Sequence, residues 1–337
     1  MQELHKMSRR TASFAVAALL AGVAASAASA TEWTAQAGAQ TPDLGNQALA
    51  FLPNEFWIHA GDSIHWTFRT GEFHTVTFLK PGQTRPALNS PTGTFVGCPG
   101  ITADGSNFDT STCVTSGTAT TGQTYTVNFP STGNFKLVCL VHTRMTGAIH
   151  VLPLSETLPY DQAFYDRQAN NEGAELLADA AGLEVLGYAD SLQSAAHEVT
   201  AGISAVLATG GGSQTTSVMR FLGATTVVHV GDTVEWTNLA TPPFHTITFG
   251  TEPANLMPPS PGLPRDSDGV LHAVISSPNA SVNSGFIGAP NQETVGQPQG
   301  PLDSTRFRVT FTVPGTFNYI CGLHDQLGMI GTVIVHP

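Results

Sequence analysis

Two short stretches of the chain carry residue types able to hold a redox metal. One is Cys139-Leu140-Val141-His142-Thr143-Arg144-Met145; the other is Cys321-Gly322-Leu323-His324-Asp325-Gln326-Leu327-Gly328-Met329. Each puts a thiolate, an imidazole and a thioether on one loop, and each follows a histidine, His74 or His245, that lies 65 or 76 residues before its cysteine. Two imidazoles and a thiolate with a weak axial thioether are the donor set that suits copper cycling between Cu(I) and Cu(II). Thiolate and thioether favour Cu(I), imidazole serves both states, and a compromise geometry limits the rearrangement that each electron would otherwise require. Zinc is a poorer fit, because a thioether is not among its usual ligands. The expected metal ligands are therefore His74, Cys139, His142 and Met145 in one site and His245, Cys321, His324 and Met329 in the other.

The elements that must position these residues recur. Phe51 through Trp66 matches Phe221 through Trp236 at an offset of 170, including Gly61-Asp62 against Gly231-Asp232. His74-Thr75-Val76-Thr77-Phe78 then matches His245-Thr246-Ile247-Thr248-Phe249 at an offset of 171, and Tyr125–Phe129 answers Phe307–Phe311. A repeat this long is a tandem duplication of a domain, not a short-period solenoid. Each unit alternates apolar and polar residues over short runs bounded by Gly, Pro, Asn and Asp, as half-buried antiparallel strands do, which predicts an all-β fold of two Greek-key β-sandwiches. Between them, Leu176, Ala180 and Leu183 fall at helical spacing. This predicts a helix over about 172–186, interrupted by Gly182 and ended near Gly187, with a weaker helix around 162–168. The expected units are an export signal at 1–30, sandwiches at 31–154 and 198–337, and a helical connector at 155–197. Residues 250–304, rich in Pro, Gly and Ser, read as a long loop.

Residues 1–30 have the pattern of an export signal: a basic stretch ending in Arg9-Arg10, an apolar run from Phe14 to about Ala27, and small residues through Ala30. An uncut membrane anchor is the alternative, although the run is short for a span. The paired arginines also allow twin-arginine export. Removal of this segment leaves 10 basic against 24 acidic residues, which disfavours nucleic-acid binding and suits either simple solubility or a basic redox partner. No other stretch is long and apolar enough to span a membrane. In an oxidising compartment Cys98 and Cys113, which bracket a polar loop, read as a disulfide contributing on the order of 3 kcal/mol.

With these residues assembled, both units resemble the cupredoxins, the plastocyanin and amicyanin group of small blue copper proteins. The Cys-x2-His-x4-Met loop preceded by Tyr319-Ile320 is similar to plastocyanin, and the Cys-x2-His-x2-Met loop to the shorter loop of amicyanin. The resemblance implies two type 1 copper ions per chain and electron transfer outside the cytoplasm, with redox partner proteins such as a cytochrome or a copper oxidoreductase. It also implies that His142 and His324 are electron exits at the surface, with Leu140, Val141, Leu323 and Leu327 forming apolar patches around them. Storage or delivery of copper is the rival reading. An oxidase or reductase is a third, and it lacks sequence support: multicopper oxidases need His-x-His pairs, of which there are none, and copper nitrite reductases need a histidine beside the type 1 cysteine. Here Val138, Leu140, Ile320 and Gly322 flank the two cysteines. His59 and His229 read as exposed strand residues, and His65 has Glu235 as its counterpart. His150, His197, His272 and His336 stand alone; an interface site built from such histidines as His150 and His336 stays open.

Overall fold

The computed structural model describes residues 30–83, 85, 98, 100–191, 197–240, 243–288 and 305–337. Of the expected export segment only Ala30 lies within these residues. The first unit is built from β1 (Glu32–Gln40), β2 (Asn46–Leu52), β3 (Glu55–His59), β4 (Ser63–Phe68), β5 (Thr77–Phe78), β6 (Ser106–Asn107), β7 (Val114–Thr115), β8 (Thr124–Asn128), β9 (Gly133–Val138) and β10 (Thr146–Leu152). After helix α1 (Gln162–Ser191) the pattern repeats as β11 (Glu198–Thr209), β12 (Gly212–Leu222), β13 (Thr225–His229), β14 (Thr233–Leu239), β15 (Thr248–Phe249), β16 (Leu271–Ile275), β17 (Val282–Asn283), β18 (Arg306–Phe311), β19 (Gly315–Ile320) and β20 (Ile330–His336).

Alternation sets the faces. In β4 every second residue, Ile64, Trp66 and Phe68, is buried, and Phe307, Val309 and Phe311 in β18 do the same. Each unit therefore closes its own core, around Trp66, Phe78 and Phe129 in the first and around Trp236, Phe249 and Phe311 in the second. The five-stranded sheets β3-β10-β9-β5-β7 and β13-β20-β19-β15-β17 each supply one layer. The opposing layers are fused into a single ten-stranded sheet, β16-β18-β14-β11-β12-β2-β1-β4-β8-β6. This order is symmetric about the central antiparallel pair, in which Leu49 stands opposite Thr215 and Asn46 opposite Val218. The two sandwiches are thus joined edge to edge through backbone hydrogen bonds.

One 30-residue helix replaces the two expected segments, and it runs through both Gly182 and Gly187. Packing explains why. Ala169 and Leu176 of α1 cover Ala48, Ala50 and Leu52 of β2, while Ala180 covers Val218 and Leu222 of β12, so the helix spans the fused pair. Gly187 does not end the helix; it lets the backbone approach Leu222, whose side chain would collide with any Cβ there. Tyr165 pins the start of α1 by accepting the Trp57 N–H at 2.8 Å and donating to the Trp57 carbonyl.

The 250–304 segment is not simply a loop. Its described part contributes β16, parallel to β18, and β17, antiparallel to β15, in the places that β6 and β7 hold in the first unit. Arg308 ties this edge down through Asp266 (2.8 Å), Asp268 (2.8 Å) and Glu235 (2.6 Å). Cys98 and Cys113 form the expected disulfide. No helix among the described residues is long and apolar enough to cross a membrane.

Candidate metal centres

The two histidines and the cysteine of each expected set are brought together at the end of its sandwich where β5 and β9, or β15 and β19, run side by side. His74 precedes β5 and is anchored by reciprocal backbone hydrogen bonds with Ala119; His245 precedes β15 and is held in the same way by Ile287. Cys139 follows β9 and Cys321 follows β19, and each loop folds back so that the cysteine N–H donates to the carbonyl of the closing methionine at 3.0 Å. The Met145 and Met329 side chains are fully buried.

In the first set Cys139 Sγ lies 4.0 Å from His74 Nδ1 and 3.8 Å from His142 Nδ1, with the two nitrogens 3.0 Å apart. In the second, Cys321 Sγ lies 3.7 Å from His245 Nδ1 and 3.3 Å from His324 Nδ1, with the nitrogens 3.1 Å apart. Donors bound to one ion at roughly 2.0–2.3 Å stand about 3–4 Å from one another, so both arrangements fit a single metal ion. Among the described residues these are the two groups of three such side chains able to hold one.

The electrostatics suit the same purpose, since thiolate and neutral imidazole are the binding forms. Burial alone would push the two thiols up, but hydrogen bonds and charge from the paired imidazoles outweigh it and hold Cys139 and Cys321 well below the thiol range. Burial lowers His74 and His245, which favours their neutral form. His324 behaves differently: burial pulls it down, yet the Glu72 carboxylate and the Cys321 thiolate raise it to about 10. Glu72 itself is held at about 2, because the charge and hydrogen bond of His324, followed by the charges of His142 and His74, outweigh its burial.

The exits expected at His142 and His324 are not at the surface. The two residues are 1% and 3% exposed and face each other across the seam between the sandwiches, where Glu72 lies between them. Leu140 and Leu327 are also buried, so they form no surface patch; Leu327 packs with Leu49 and Met219 in the seam. Only Val141 and Leu323 of the four line an opening, a cleft of about 130 Å3 that also includes Phe73 and Phe244.

Several residues of the sites were not singled out by spacing. The Thr75 N–H donates to Cys139 Sγ (3.3 Å) and the Thr246 N–H to Cys321 Sγ (3.4 Å). The Thr75 and Thr246 hydroxyls accept the N–H of Leu140 and Gly322, the residues after the cysteines, both at 2.8 Å. The shared His-Thr-x-Thr sequence was the available signal. Arg85 reaches under the first loop to the carbonyls of Cys139 (2.7 Å) and Thr143 (2.6 Å), whereas Arg220 of β12 holds the Leu327 carbonyl of the second. Gly38 and Gly202, at register shifts in β1 and β11, back onto the rings of His74 and His245.

The remaining histidines have other partners. His229 is exposed as expected, whereas His59 is half-buried and bonded to the Glu156 carbonyl. His65 meets Thr126, and His272 meets Asp266 and Thr310. His150 sits between Asn134 and Glu55 on the first sandwich, while His336 lies beside His229 on the second, so within one chain the two have different neighbours.

Replacing Thr75 with Val keeps the shape but removes the acceptor of the buried Leu140 N–H. Such a loss costs roughly 1–3 kcal/mol. Denaturant unfolding should therefore show a lower midpoint for Thr75→Val with little change in slope; an unchanged midpoint would deny the hydroxyl this role.

Fold and donor set together define a protein of two β-sandwich domains, each with a buried His/Cys/His group at one end that could hold a metal ion. The chain belongs to the copper binding proteins of the plastocyanin/azurin family, whose profile matches residues 39–152 and 208–336. No curated protein matches it. Among solved structures, oxidised plastocyanin from Dryopteris crassirhizoma is similar at 20% identity, covering 41% of this chain and 99% of that one with a TM-score of 0.22. Auracyanin B is similar at 18% identity over 37% of this chain and 91% of that one, with a TM-score of 0.27. A Cu(I) form of an amicyanin variant is similar at 20% identity, covering 43% and 89%, with a TM-score of 0.22.

Proposed function

We propose that the chain, divided as 31–154, 155–197 and 198–337, is an extracytoplasmic electron-transfer protein with two type 1 copper centres. The first centre is held by His74, Cys139, His142 and Met145, and the second by His245, Cys321, His324 and Met329. The observation that carries this reading is the occurrence, in both halves, of two buried imidazole Nδ1 atoms converging on a buried thiolate. Copper, when bound, supplies a one-electron couple; the chain holds the donors and keeps water from them. The Cys98–Cys113 disulfide supports a location outside the cytoplasm. Cytochromes or copper oxidoreductases are the proposed partners, and the cleft rimmed by Phe73, which is 46% exposed, is the proposed place of approach.

The surroundings of the two thiolates differ in a way that orders the centres. Cys139 Sγ accepts N–H bonds from both Thr75 and His142 at 3.3 Å, whereas Cys321 Sγ accepts one from Thr246. Donors to the sulfur and a nearby cation, here Arg85, disfavour the more positive oxidised state. Glu72, an anion, stands nearer to the His324 ring than to that of His142. All three differences make the first centre the stronger oxidant.

Potentiometric titration should give two reversible one-electron steps, with the first centre reduced first; each tenfold bias corresponds to about 59 mV. Irreversible reduction, with copper passing to a Cu(I) chelator, would instead indicate storage or delivery. Equal potentials would contradict the ordering.

A further inference from the structure

The duplication is broken at a position between the two sites. Glu72 stands two residues before His74, and the offset that matches His74 with His245 puts Pro243 in its place. Phe73 and Phe244, Val141 and Leu323, and His142 and His324 are by contrast matched pairs, and all six line the same cleft. The side chain of Glu72 is 6% exposed. Its Oε2 lies 3.0 Å from His324 Nε2 and its Oε1 3.6 Å from His142 Nε2. The Phe73 N–H donates to Oε1 at 3.2 Å, and the Glu72 N–H donates to Thr70 Oγ1 at 3.0 Å, which fixes the carboxylate in the seam.

Each of these rings turns Nδ1 toward its own cysteine and Nε2 toward the shared carboxylate. A buried carboxylate is costly unless it is paired, and the apolar Pro243 occupies the equivalent position without one. The carboxylate is therefore matched to the two rings that flank it, one from each ligand set.

We propose that Glu72 is a positioning residue that couples the two metal centres, joining His142 to His324 so that an electron passes between the centres inside one chain. This rests on the reading that both centres hold copper. In that passage one centre is oxidised and the other reduced by a single electron, no bond is made or broken, and Glu72 keeps its charge. Outer partners of ligating histidines fix ring orientation, and their replacement typically costs about 10–100-fold in affinity or activity.

The test is Glu72→Gln in the full copper-loaded chain. Glutamine keeps the size, but it carries no charge and its amide nitrogen only donates, so it cannot set an anionic oxygen against each of the two rings. The variant should retain two coppers and both thiolate absorptions, while internal electron transfer after a reducing pulse slows about tenfold or more. In the diamagnetic Cu(I) protein, the imidazole N–H resonances of His142 and His324 should both move. An unchanged internal rate would overturn the proposal, as would a third copper bound by the parent chain and lost from Glu72→Gln, which would make Glu72 a ligand. Should Glu72→Gln not fold, Glu72→Asp, which keeps the charge but shortens its reach, must slow the transfer too, and an unchanged rate there is equally fatal. Failure of the parent chain to show two thiolate-to-copper absorptions would instead contradict the underlying two-copper reading.

Discussion

Cys139→Ala is expected to abolish one copper centre and leave the other intact, and Cys321→Ala to do the reverse. In the proposed centres the thiolate is the charged donor and would be the source of an intense visible absorption, so each variant should bind one copper and lose the absorption of its own centre. The separation of the two cores makes this independence reasonable: Cys139 belongs to the packing around Trp66 and Cys321 to that around Trp236. Cys139→Ala also removes the acceptor of the buried Thr75 and His142 N–H groups and Cys321→Ala that of Thr246, so a moderate loss of stability should accompany the loss of metal. Copper analysis and visible spectra of both variants check this. Retention of both absorptions in either variant would mean that its cysteine is not a ligand.

Gly38→Ala and Gly202→Ala should be nearly as severe, although neither glycine offers a donor atom. Gly38 has φ +77° and Gly202 has φ +75°, a region that residues with a Cβ rarely adopt. The space is also taken: a Cβ at Gly38 would stand 2.8 Å from His74 Nε2 and closer still to Thr70 Cγ2, and one at Gly202 would stand 2.9 Å from His245 Cδ2 and closer still to Nε2. Backbone strain and overpacking together amount to roughly 2–6 kcal/mol; at Gly202 the ring is the group that must yield, and at Gly38 the Thr70 methyl and the His74 ring share the displacement. Each variant should lose copper from its own domain before the other, with a lowered unfolding midpoint. Wild-type copper retention and stability in Gly202→Ala would show that the ring is not held from behind.

Both predictions draw on features of unequal visibility in the sequence. The ligands stood out because cysteine, histidine and methionine recur at matched positions, and the sandwiches because alternation around Trp66 and Trp236 is regular. Comparison of the halves worked against Glu72, since its partner position holds Pro243 and an unmatched residue carries no weight in a repeat. Burial of His142 and His324 was hidden for a related reason: each unit alone would leave its histidine at an open end, and only the pairing of β2 with β12 turns the two ends toward each other. The helix was underestimated because glycine propensity is local, whereas packing of α1 across the fused sheet, including the close approach of Gly187 to Leu222, is tertiary. Arg85 lies in a polar stretch without periodicity, and nothing local to it points to the Cys139 carbonyl.

The most direct test of the account is copper stoichiometry measured together with the visible spectrum and a reductive titration of the purified protein. Two coppers per chain, an intense thiolate-to-copper absorption and its complete loss on uptake of two electrons are the result expected from the paired His/Cys/His groups. One copper per chain, or metal bound without that absorption, would contradict it.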